Sequence, residues 1–79
     1  MDRNAIFDKV KELILMQLPV DAAKVTEDAR MIDDLGADSA NLMMLIMDLE
    51  TEFDMQVEDE ALGTIKTVGD IVDYVAGKL

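Results

Sequence analysis

A chain of 79 residues can build one modest hydrophobic core, and an apolar share of 51% is ample to fill it. With 18 Asp and Glu against 7 Lys and Arg, the net charge of −11 repels phosphate backbones and anionic lipid surfaces, so nucleic acid is excluded as a partner. The absence of Cys and His removes disulfides, a thiolate of the chain's own, the usual general base and the usual zinc ligand.

The segment Met1-Asp2-Arg3-Asn4 is polar, and no apolar run is long enough for a leader or a bilayer span. Neither membrane insertion nor export is expected, and a cytoplasmic location is the default. Ile6, Phe7, Val10, Leu13 and Ile14 recur at helical spacing between charged residues, which predicts an amphipathic helix ending near Leu18-Pro19. No period persists from Val20 to Ala37, but Val25, Ile32 and Leu35 are spaced as single anchors that could pin a long connection to the core. A loop of that length points to a role of its own.

Asp38 to Phe53 is the most strongly helical stretch, opened by an Asp suited to cap its first turn. Asp54 to Thr64 is acidic and broken by Gly63, which leaves room for a turn or two of helix around Asp59 to Leu62. The last helix begins at Thr67, where Asp70 completes a capping-box-like start, and Val68, Ile71, Val72 and Val75 form its buried stripe. Gly77 reads as its terminator. The expected fold is all-α: a single domain over residues 1–79, with three main helices, one short helix, and a long loop between helices one and two. A monomer is expected, with Leu42, Phe53 and Leu62 in the core beside the aliphatic stripes. Met among those aliphatics would make the core deformable.

After Arg30 no basic residue appears until Lys66, and Asp and Glu crowd the interval. A partner docking there should be basic. Asp33-Asp34 and Glu58-Asp59-Glu60 lack the Gly-containing spacing of a calcium loop, so no metal site is expected and these runs read as solvated charge. At −11 self-repulsion is considerable, and added salt or divalent ions should raise the melting temperature.

Stepped at 100° per residue, Leu42, Leu45, Ile46, Leu49 and Phe53 fall in one sector of the second predicted helix. Ala40, Met43, Met44 and Met47 form a second apolar stripe that begins one residue after Ser39. Wide-core filling is one explanation for these Met side chains. The other is an exposed docking surface, since Met repacks readily against different partners. Asp38, Asp48, Glu50 and Glu52 would rim such a surface with negative charge.

The run Asp34-Leu35-Gly36-Ala37-Asp38-Ser39, followed by a helix ending Met47-Asp48-Leu49-Glu50-Thr51-Glu52-Phe53, resembles the acyl carrier protein signature. Asp59-Glu60 and Ile65-Lys66-Thr67-Val68-Gly69-Asp70 resemble the family's later helix starts, so the similarity covers roughly Ile6 to Val75. The resemblance implies 4′-phosphopantetheine, taken from coenzyme A by a phosphopantetheinyl transferase and joined to Ser39 through a phosphodiester. Asp38 at the helix start would take part in transferase recognition. Ala40, Met43, Met44, Met47, Asp48 and Glu50 would meet acyl-transferring and acyl-modifying enzymes that carry basic docking patches. A phosphate at a helix start also meets free N–H groups and the positive end of the helix dipole.

The chain departs from the family pattern in three places: Ala40 for a usual Leu, Asn41 for a frequent Asp, and Met44 for a frequent Glu. These changes suggest a specialised carrier serving a dedicated pathway. No catalytic residue is expected, because nothing in the chain could activate a serine hydroxyl. The leading expectation is a discrete carrier of fatty acyl or polyketide-type groups as thioesters, with aminoacyl cargo a close variant. The alternative is an unmodified acidic helical adaptor that binds basic or amphipathic surfaces through Met43, Met44 and Met47, with Ser39 merely capping a helix.

Overall fold

The computed structural model describes residues 2–79, and Met1 lies outside them. The first helix, α1 (Arg3–Gln17), is opened by Asp2, whose carboxylate accepts the Ala5 N–H at 2.8 Å. That satisfies one of the donors a first helical turn leaves free. Leu18 ends the helix in an extended conformation, which the ring of Pro19 imposes on the residue before it. Ile6, Val10, Leu13 and Ile14 of α1 are buried together with Val68, Ile71, Val72 and Val75 of the last helix, α4 (Val68–Lys78). Burying each such side chain contributes roughly 1.5–3 kcal/mol, so the four on α4 make it the best-anchored helix for its length. The second helix, α2 (Ser39–Phe53), closes the bundle with Leu45, Ile46 and Leu49, while the short α3 (Asp59–Leu62) buries no residue fully.

The long connection from Leu18 to Asp38 is held by its backbone. It makes a single 3₁₀ turn at Ala22–Lys24 and then runs along the start of α4. The N–H groups of Val68 and Gly69 donate to the carbonyls of Ala29 and Glu27 at 3.0 and 2.9 Å, and the Met31 N–H donates to the Lys66 carbonyl at 2.9 Å. Two orphan donors of α4 are thereby satisfied by the loop. Gly69 eases this approach, because a Cβ there would stand 3.0 Å from the Glu27 carbonyl oxygen, closer than ordinary van der Waals contact. Arg3 ties the same region together at the surface, reaching Glu27 in the loop and Asp73 on α4, and both carboxylates raise its already high pKa.

Both predicted caps are present. Asp70 Oδ2 accepts the N–H groups of Lys66 and Thr67 at 3.1 Å each, while the Thr67 hydroxyl accepts the Asp70 N–H. Those backbone donors, that of Thr67 foremost, hold the Asp70 carboxyl below the usual carboxylate range. Asp34 is held down in the same way, first by the Arg30 side chain and then by the Arg30 N–H.

Several expectations are corrected. Ile32 is not an anchor: it is 58% exposed, and its neighbour Met31, at 2%, fills the core, because the turn over residues 31–35 directs Met31 and Leu35 inward. Gly36 then redirects the chain at φ +73°, a conformation only glycine adopts without cost. Leu42, Phe53 and Leu62 pack against the core but stay half-buried, since α3 is too short to cover them. Gly77 lies within α4, which continues to Lys78. Met31 is the one fully buried Met among the described residues, so the core is one of branched aliphatics. No described helix is long and apolar enough to cross a membrane, and the described residues hold no cluster of metal-ligating side chains.

Candidate functional site

Gly36 delivers the chain to Asp38, whose extended backbone and carboxylate cap α2. The Asp38 carboxylate accepts the Asn41 N–H at 2.8 Å, and the Asn41 side-chain oxygen accepts the Asp38 N–H at 3.2 Å. This reciprocal box uses Asp38 and Asn41 and leaves Ser39 out of the cap. Ser39 is therefore the first residue of the helix rather than its cap, and it is exposed. The reading in which Ser39 merely caps a helix loses its basis. First-turn N–H groups beside it, those of Ser39 and Ala40, have no intrahelical acceptor and suit an anionic phosphodiester.

Ser39 opens onto a groove of about 280 Å³ between α2 and α3, walled by Leu42, Met43, Ile46, Leu62 and Ile65. The groove exists because α3 is a single turn that spans the gap without filling it. Leu62, expected in the core, stands half-buried here because α3 is so short, while Ile65 is buried. A flexible arm with an amide and methylene backbone fits beside such a wall, so the residues present are compatible with a phosphopantetheine group.

The second stripe of α2 is exposed: Met43 by 49%, Met44 by 57% and Met47 by 61%, with Ala40 also at the surface. Wide-core filling is thus excluded for these side chains. The acidic rim is less free than its composition suggests. Asp48 accepts a hydrogen bond from Gln17 at the end of α1, and Glu52 pairs with Lys9 at 2.9 Å, which raises the Lys9 pKa. Glu50 points to the opposite flank, where it accepts the Val57 N–H at 2.9 Å. Asp48 and Glu50 therefore flank the Met stripe on different sides, each already engaged within the chain.

The comparisons with known proteins agree with this geometry. The family described as phosphopantetheine attachment site matches residues 8–75. An acyl carrier protein of Thermotoga maritima is 54% identical over 77 residues, covering 98% of this chain and 95% of that one. A solved structure of the acyl carrier protein from Enterococcus faecalis superposes with a TM-score of 0.84 at 35% identity, over 100% of both chains. Proteins of this kind carry 4′-phosphopantetheine, act as carriers rather than catalysts, and are served by a phosphopantetheinyl transferase and by acyl-handling enzymes. This chain belongs to the acyl carrier protein family.

Proposed function

We propose that this chain carries acyl intermediates as thioesters on a 4′-phosphopantetheine arm joined to Ser39, in fatty acid or related acyl biosynthesis in the cytoplasm, as one monomeric carrier domain. The observation that carries this reading is Ser39 itself: exposed, first in α2, spared from capping by Asp38 and Asn41, and opening on an apolar groove. In loading, the Ser39 oxygen forms a bond to phosphorus, the pyrophosphate bond of coenzyme A breaks, and adenosine bisphosphate leaves. The serine proton passes to the transferase, since the chain has no His and the neighbouring Asp38 carboxylate is engaged in the cap with the Asn41 N–H. The group, once joined, supplies the thiol that the chain lacks. Tethering then raises the effective concentration of cargo at each enzyme visited.

Asp38 holds the helix start in the shape the transferase meets. Ala40, Met43, Met44 and Met47 supply the apolar contact for partner enzymes, with Asp48 and Glu50 at its two edges. Because those carboxylates have partners within the chain, docking relies more on the Met stripe and less on charge than an acidity of −11 implies.

The test is intact mass before and after incubation with coenzyme A, Mg²⁺ and a broad-specificity phosphopantetheinyl transferase. One phosphopantetheinyl mass should be gained by the native chain and none by Ser39→Ala. A folded protein that never gains it, even with its host's own transferase, overturns the reading in favour of an adaptor acting through the Met stripe.

A further inference from the structure

A second groove, also of about 280 Å³, lies on the far side of the Leu42 and Ile65 walls from the one that opens at Ser39. The two share those walls, so anything tethered at Ser39 can reach either by passing one side of them or the other. Their chemistry differs. The groove at Ser39 is apolar apart from the hydroxyl, whereas the second combines the exposed Ile32 with Lys66, Arg30 and Asp33.

Lys66 distinguishes this groove. Arg3, Lys9, Arg30 and Lys78 are each engaged in ion pairs, whereas Lys11, Lys24 and Lys66 are in none among the described residues, and of these three only Lys66 lines either groove. Asp33 in the same groove is paired with Arg30 at 3.6 Å. Asp70 feels the Lys66 charge, but its carboxylate is committed to the N–H groups of Lys66 and Thr67. In a chain of net charge −11, an uncommitted ammonium group beside an apolar slot is complementary to a short methylene chain ending in an anion.

We infer that the groove of Ile32, Leu42, Ile65 and Lys66 receives the distal end of a carboxylate-terminated acyl group carried on Ser39, with Lys66 pairing its carboxylate. This rests on Ser39 being the attachment point. Cargo fits better than the arm's own phosphodiester, because that phosphodiester is fixed at Ser39, which lines the first groove and not the second. A plain saturated chain gains nothing from Lys66 and is better served by the groove at Ser39.

The test compares amide and methyl NMR spectra of the protein loaded with a glutaryl group, with its neutral amide counterpart glutaramoyl, and with the unacylated arm, in the native chain and in Lys66→Gln. Glutaryl should shift the Ile32 and Ile65 methyl signals and the Lys66 amide, and the shifts should shrink as salt is added. Its docked population should exceed that in Lys66→Gln by roughly two- to fivefold, the range of an exposed ion pair. Ile32→Ser, at an exposed position, should lower docking without changing charge. Equal shifts with glutaramoyl would overturn the inference in favour of apolar burial alone. Lys66-dependent shifts with the unacylated arm would overturn it in favour of the phosphodiester, and no shift at all would overturn it outright. A mass spectrum showing no arm on Ser39 overturns the carrier reading, and this inference with it.

Discussion

α3 and α4 follow one another in the chain and are held in opposite ways. α4 is fixed by fully buried aliphatics, by a two-way cap, and by loop carbonyls that take up the first N–H groups of its backbone. α3 has no fully buried residue. Its leading end is held by the Glu58 N–H donating to the Tyr74 hydroxyl at 3.2 Å and by Lys78, which pairs with Glu58 at 3.5 Å while lying over the Tyr74 ring. The bundle thus concentrates its stability on the α1–α4 side and leaves the α2–α3 side able to yield. A protein that must admit different cargoes and partners gains from keeping the yielding surface away from the elements that keep it folded.

Truncating one side chain on each side gives the largest test of this contrast. Ile71→Ala in α4 should cost about 3 kcal/mol, a fall in melting temperature of at least about 10 °C. Leu62→Ala in α3 should cost less than about 1 kcal/mol, because the side chain is only half-buried. Equal losses in thermal melts would refute the division. A smaller effect is expected of Gly69→Ala. Alanine ordinarily favours a helix by about 1 kcal/mol over glycine. Here the new methyl meets a carbonyl that is simultaneously accepting the Gly69 N–H at 2.9 Å, so the loop cannot retreat without losing the bond. The substitution should therefore destabilise, by about 1 kcal/mol in a denaturant titration, and a stabilised variant would show the loop to be softer than its bonds imply.

The smallest effect concerns pH. The Asp70 carboxyl is depressed in the folded state by the N–H groups at the start of α4, so its contribution is complete above the unfolded value of about 3.9 and is lost as pH falls through the lower folded value. The melting-temperature difference between the native chain and Asp70→Asn should be constant above about pH 5 and close below about pH 3. A difference independent of pH would mean that the cap acts through shape alone.

Much of this was legible in the sequence because the informative residues act locally. Asp38 and Thr67 cap within three residues of themselves, and the stripes of α1, α2 and α4 repeat at helical spacing, so the helix starts at residues 39 and 68 follow closely from the residue types. The second apolar stripe on α2 was legible for the same reason. The contacts that set the loop were not. They join the backbones of residues 27–31 and 66–69, and a carbonyl has no side-chain signature; the sole trace is Gly69, a small residue in a first helical turn. The choice between Met31 and Ile32 as anchor depended on the turn that Gly36 ends, since both are apolar and adjacent. Pairings such as Gln17 with Asp48 and Lys9 with Glu52 join residues far apart in sequence, so the acids of α2 looked freer than they are.

The stitching of the loop to the start of α4 also bears on the order in which the molecule can form. The bonds that fasten residues 27–31 to the bundle, as opposed to those that close turns within the loop, reach residues 66–69, which are made much later on the ribosome. The loop can therefore form its local turns early but is docked onto the bundle only once α4 has emerged, however early α1 and α2 acquire helical turns. A transferase that touches the docked loop as well as the capped start of α2 would accordingly discriminate finished chains from nascent or truncated ones, and loading of Ser39 would then double as a check that the last helix has docked.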